Sequence, residues 1–142
     1  MKRDKIEILG ILRNYFEKRD DVCMAFLFGS YARDITCEES DIDIAVYFRP
    51  KSGYMEWEEF DIKYDVENEI WLDVERLLKW NVDLIVLNRA RCVIANSAVN
   101  SIPIIIKDRG LYLDFMLRIT TEAEDFREVV EDYWRIKQAI CR

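Results

Sequence analysis

Between Asp4 and Lys18 the apolar residues Ile6, Leu9, Leu12 and Phe16, with Ile8, Ile11 and Tyr15 beside them, recur at helical spacing among charged positions. That period predicts an amphipathic helix packed on a core. Asp20-Asp21 interrupts it, and Val22 to Phe28 (VCMAFLF) is then apolar without a break over the length of a strand. A strand apolar on both faces belongs in the middle of a sheet. A second strand is expected over Asp41–Phe48, where Ile42, Ile44 and Val46 alternate with polar or small residues before Arg49-Pro50 ends the run. Lys51 to Glu59 (KSGYMEWEE), rich in turn formers, aromatics and acids, reads as a mobile connection. In it Tyr54 and Trp57 either cap the core or meet a base or partner. From about Asp61 to Trp80, Val66, Ile70, Val74, Leu77 and Leu78 predict a long helix laid against the sheet.

Val82-Asp83-Leu84-Ile85-Val86-Leu87 is β-branched and apolar enough for a third strand. A loop and short helix (90–99) follow, and Ile102–Lys107, carrying Pro103, suits an edge strand because proline cannot donate to a ladder. After a turn at Asp108-Arg109-Gly110, the residues Leu113, Met116, Leu117, Phe126, Val129, Val130, Tyr133 and Ile136 return to helical spacing. Thr120 or Thr121 can cap a second helix there, so one broken helix or two fit the pattern. Trp134 and Tyr133 in this tail either close the core or meet a partner. The sum is an α/β (α+β) chain with a small mixed sheet flanked by helices. With 142 residues, 51% of them hydrophobic, it has material for one core and too little for two. We therefore expect a single domain over 1–142, ending in a helical tail over about 111–140.

Charge narrows the functional classes. Twenty-eight acidic against 21 basic residues leave a net charge of −7, which argues against a broad basic face for DNA or RNA and suits a basic protein partner. There is no histidine, so Ser/His/Asp and Cys/His mechanisms are excluded and carboxylates or lysines are left as candidate bases. Cys23, Cys37, Cys92 and Cys141 form no close pair and read as free thiols in a reducing compartment. The charged start, Met1 to Lys5, runs into an amphipathic segment without the apolar core of a signal peptide or a membrane span, so a cytoplasmic location is expected.

The chemistry concentrates in Gly29-Ser30-Tyr31-Ala32-Arg33 and in Ser40-Asp41-Ile42-Asp43. Gly29 ends the apolar strand where the backbone must turn, and Ser30 can cap a short helix whose unpaired N–H groups suit phosphate oxygens. Arg33 lies within that helix, within reach either of a phosphate or of an acid in a salt bridge. Tyr31 can stack on a base or sit half-buried. Asp41 and Asp43, two apart in a strand, project to the same face while Ile42 and Ile44 go to the other. Carboxylates held so close repel, and magnesium, which takes one or two carboxylates together with water and phosphate oxygens, relieves the repulsion. Asp83 heads a very hydrophobic strand, so it either caps the helix-to-strand turn or joins the acidic cluster. Asp61, Asp65 and Asp73 are the alternatives for a third acid.

Ser30, ten intervening residues and Asp41-x-Asp43 resemble the Gly-Ser-x(10)-Asp-x-Asp signature of the minimal nucleotidyltransferases of the DNA polymerase beta-like superfamily. The resemblance runs on through Val82–Arg89 and the Asp108–Gln138 tail, and is nearest to the antitoxin half of HEPN/MNT toxin–antitoxin pairs. Asp34 departs from it, since many members carry glycine after the Ala-Arg pair. The resemblance implies the polymerase beta-like fold, ATP as donor, two Mg²⁺ ions held by Asp41, Asp43 and Asp83, and phosphate contacts from Gly29, Ser30 and Arg33. It also implies a HEPN-family ribonuclease toxin as partner in a hetero-oligomer, with AMP transferred to a toxin tyrosine. Two rival readings share the residues: an antitoxin acting by stoichiometric binding alone, and transfer to a small molecule such as an aminoglycoside.

Overall fold

A computed structural model of the protein describes residues 4–29, 41–50 and 64–140, apart from the side chains at 123–127, 129–130 and 139–140. In chain order the described elements are α1 (Lys5–Glu17), β1 (Val22–Phe28), β2 (Ile42–Phe48), α2 (Glu67–Leu78), β3 (Val82–Val86), a tight 3-10 turn (Leu87–Arg89), α3 (Cys92–Val99), β4 (Ile102–Ile106) and α4 (Arg109–Ile140). The strands form one mixed sheet in the order β3-β2-β1-β4. β1 is antiparallel to both of its neighbours, and β2 is parallel to β3. A parallel pair cannot be joined by a hairpin, and α2 supplies the crossover. The unbroken apolar run of β1 thus lies inside the sheet, buried along its whole length, while Pro103 sits on the β4 edge.

Each face of the sheet has its own core. Ile8, Leu12 and Phe16 of α1 and Ile70, Val74 and Leu78 of α2 cover one face, where they meet Leu27, Ile44, Val46 and Phe48. The other face carries Ala95, Ala98 and Val99 of α3 and Phe115 and Ile119 of α4 against Phe26, Ala45 and Tyr47. There the Tyr47 and Phe115 rings meet edge-on, 4.9 Å apart. Cys23 and Met24 share that second face, a lapse in alternation explained by the register shift between Val22 and Met24. Along β2 the alternation is strict, so Asp43 takes the phase of Ala45 and Tyr47.

The helices correct the sequence reading in one consistent way. Each seats a spine of residues four apart: 8, 12 and 16 in α1, 70, 74 and 78 in α2, and 115 and 119 in α4. Residues two positions from such a spine lie about 200° round the helix. Hence Ile6, expected in the core stripe, is 77% exposed, and Leu113 and Leu117 face outward while Phe115 and Ile119 are buried. Leu77 is likewise exposed beside buried Leu78. α4 is one continuous helix of 32 residues, with no break at Thr120 or Thr121. Among the described residues no helix is long and apolar enough to cross a membrane.

Polar ties fix the layers. Tyr15 Oη on α1 donates to Asp73 Oδ2 on α2 at 2.7 Å, and burial together with this bond pushes the phenol pKa upward. Arg89 donates through Nη2 to Glu67 Oε2 at 2.7 Å and through Nη1 to Glu67 Oε1, clamping the turn after β3 to the start of α2. Asn88 is fully buried: its Oδ1 accepts from Phe48 N–H at 2.9 Å and its Nδ2 donates to Phe48 C=O at 3.0 Å. The side chain thus carries the β2–β3 ladder two residues beyond the end of β3. Asn88→Ala leaves both Phe48 groups buried and unpaired, at about 1–3 kcal/mol for each. A urea midpoint lowered to that extent is the expected outcome, and an unchanged midpoint would show that the asparagine plays no such part.

Candidate functional site

The acidic residues meet at one end of the sheet because of strand register. Phe28, the last residue of β1, is paired with Asp43, the second residue of β2. Asp43 is in turn paired with Asp83, the second residue of β3. Paired residues on neighbouring strands project to the same face at a spacing of about 4.8 Å, so these two carboxylates stand side by side. Asp41 immediately precedes β2 and is exposed, in the same alternation phase as Asp43. Asp83 is exposed and Asp43 half-buried.

Gly29 completes the described part. Its φ of +75° lies in the left-handed region, and a Cβ built there would run into the Asp43 carboxylate, reaching its Cγ at 3.0 Å. Only glycine allows the chain to turn against that carboxylate. Asp43's carboxyl is held above the usual carboxylate range, first by burial and then by the negative charges of Asp83 and Asp41. The three aspartates are therefore coupled electrostatically. Among the described residues no three acidic or thiol side chains close tightly enough to ligate one ion by themselves. The donor set suits magnesium, which takes a carboxylate or two and fills its shell with water and phosphate oxygens.

Of the other residues singled out in the sequence, Ser30, Tyr31, Arg33, Tyr54, Trp57, Asp61 and the cysteines Cys37 and Cys141 lie outside the described residues. Cys23 and Cys92 form no disulfide among the described residues. Asp73 is engaged with Tyr15, and exposed Asp65 lies in the turn before α2. Asp83 does not cap the turn after α2. That turn closes through Lys79 in the left-handed region, whose N–H donates to Glu75 C=O at 2.8 Å.

Sequence reasoning missed the residues that set Asp83 in place. Trp71 Nε1 donates to Val82 C=O at 2.7 Å, and Glu75 Oε2 accepts from Val82 N–H at 3.2 Å. One turn of α2 thereby satisfies the outward-facing backbone of the residue just before Asp83. Their spacing of four, which puts both on one helix face, was the available signal.

The chain matches the family profile "Polymerase beta, Nucleotidyltransferase" over residues 11–110. No curated protein sequence matches it. Among solved structures it is similar to a chain of a toxin–antitoxin crystal structure with AMP-PNP, with a TM-score of 0.64, 19% identity, and coverage of 93% of this chain and 99% of that one. It is also similar to a chain of the MntA-HepT toxin–antitoxin structure, with a TM-score of 0.61, 16% identity and coverage of 92% and 99%. A third likeness is to a chain of the tri-AMPylated Shewanella oneidensis HEPN toxin in complex with MNT antitoxin, with a TM-score of 0.60, 18% identity and coverage of 89% and 98%. At these identities the likeness is one of fold.

Two measurements test this geometry. Gly29→Ala strains the turn and displaces Asp43, so it should lower both the melting temperature and the affinity for Mg²⁺-AMP-PNP; retention of both would contradict the close approach. The second concerns pH. An acid whose pKa is higher in the folded chain than in the unfolded one favours folding below the unfolded value of about 4, and that contribution is lost as pH rises through the folded value. Asp43→Asn should therefore raise the melting temperature of the metal-free protein at pH 7, with the advantage shrinking toward pH 4. Mg²⁺ should narrow the gap at pH 7 by stabilising wild type. Curves that coincide at every pH would contradict a repulsive cluster.

Proposed function

The chain belongs to the polymerase beta nucleotidyltransferase family, and from that premise we propose that it is a Mg²⁺-dependent protein adenylyltransferase. In this reading it is the antitoxin of a toxin–antitoxin pair and transfers AMP from ATP to a tyrosine hydroxyl of a HEPN-family toxin. The observation that carries the reading is the placement of Asp43, wedged against Gly29 and paired in register with Asp83: negative charges gathered at the sheet end are unfavourable alone and become favourable around a cation. Support for the partner comes from the toxin–antitoxin structures of like fold, one with AMP-PNP and one with an AMPylated toxin.

Gly29 and Ser30 receive the triphosphate on backbone N–H groups, and Arg33 adds a positive charge. Asp41 and Asp43 would hold the metal ions, and Asp83, at the exposed edge, would complete the set and orient the acceptor hydroxyl. The hydroxyl oxygen attacks the α-phosphorus as its proton passes to water, the bond from that phosphorus to the bridging oxygen breaks, and pyrophosphate departs. Bound Mg²⁺ supplies charge neutralisation at the phosphates and a lower pKa for the hydroxyl. Half-burial of Asp43 strengthens each of these electrostatic interactions over its value in water.

The test incubates the purified chain with α-labelled ATP, Mg²⁺ and the HEPN-family toxin encoded beside it. Label on a toxin tyrosine is expected, lost on chelation and reduced about 10²–10³-fold by Asp43→Asn, as when a charge-stabilising group is removed from a transition state. A toxin that the wild-type chain binds but leaves unlabelled would reject the reading.

A further inference from the structure

We propose that the outer edge of β3 is the acceptor site, and that it takes an extended segment of the acceptor protein as an added strand, with the reacting tyrosine beside Asp83. The inference rests on the adenylyl-transfer reading and adds how the acceptor is held. β3 is the last strand on its side of the sheet among the described residues. In its parallel ladder Asn81 C=O accepts from Ile42 N–H at 3.0 Å, so the backbone groups of Asn81, Asp83 and Ile85 point toward β2 and those of Val82 and Leu84 point away. Val82 is satisfied by Trp71 and Glu75 of α2. The outward N–H and C=O of Leu84 have no partner among the described residues. An open edge of this kind is a template for a further strand.

Two clefts straddle Leu84. One, of about 230 Å³, is bounded by Glu67, Asn68 and Trp71 of α2 and by Asp83. The other, of about 350 Å³, runs between Ile85, Arg91 and Ile94. A strand added to an edge sends alternate side chains to opposite faces of the sheet, and a cleft on either side of the edge is what such a strand needs. Of the two paired carboxylates, Asp43 is half-buried inside the sheet and Asp83 is exposed at its edge. An acceptor arriving along β3 therefore meets the cluster from the Asp83 side. A residue of the added strand opposite Asp83 stands about 4.8 Å from it, on the face that carries Asp43, within reach of a tyrosine side chain. An extended segment also brings its own main-chain hydrogen bonds, so recognition requires no basic patch on the acceptor.

The test is amide hydrogen exchange on the full chain carrying Asp43→Asn, which slows turnover, with ATP omitted, with and without the HEPN-family toxin. Exchange at the Leu84 amide should slow at least tenfold on binding, and unchanged exchange there in a saturated complex overturns the proposal. Leu84→Pro, which removes the outward N–H at a position where an edge strand tolerates proline, gives a second measurement. It should raise KM for the toxin at least tenfold with kcat little altered; a wild-type KM overturns the proposal. The two readings fail separately. Leu84 protected by a toxin that wild-type protein never labels sinks the chemistry and keeps the edge site, whereas labelling with Leu84 unprotected does the reverse.

Discussion

The pairing of Asp43 with Asp83 across the β2–β3 ladder is the constraint on which the rest of this molecule turns. Strands paired in parallel are normally apolar along their length, and β2 and β3 are apolar except at this position. Two acids directly opposite each other in a ladder are destabilising. The protein tolerates them because the core strands on either side leave the register no freedom: a slip of one residue would turn Ile42, Ile44 and Val46 out of the α1/α2 core. The stability of two hydrophobic layers is thus set against local repulsion, which a cation held there would relieve.

The supporting features all act on that register. Asn88 substitutes for a missing strand residue at one end of the ladder, and Trp71 with Glu75 anchors Val82 at the other. The Arg89–Glu67 clamp holds the turn after β3 to the helix that precedes it. Gly29 brings the end of β1 against Asp43, so the chain turns away from the sheet directly beside that carboxylate. None of these side chains carries the proposed chemistry. Together they make its geometry rigid, which is what charge stabilisation in a transition state requires.

Most of the fold was legible because its strands are short, apolar and well separated: Val22–Phe28 has the bounds expected, and its central place followed from burial on both faces. Asp43 and Asp41 were legible through period-two alternation. Asp83 was legible only as a misfit, since an acid in an apolar strand has to be explained, and nothing in the sequence fixes which residue it opposes. The helical core was read less well. Ile6, Leu113 and Leu117 are as hydrophobic as the residues actually buried, and hydropathy alone cannot choose among stripes 100° or 200° apart. Asn88 and Trp71 escaped notice because a polar group that satisfies backbone has no period.

The central claim is that Asp43 and Asp83 share one electrostatic site built for a cation. Its most direct test is the titration of the Asp43 carboxyl carbon by NMR in wild-type protein, in Asp83→Asn, and with Mg²⁺ and AMP-PNP present. The account predicts a midpoint above the ordinary carboxylate range in the free protein, lowered by removal of the Asp83 charge and lowered again by the bound cation. A midpoint in the ordinary range that neither change moves would contradict it.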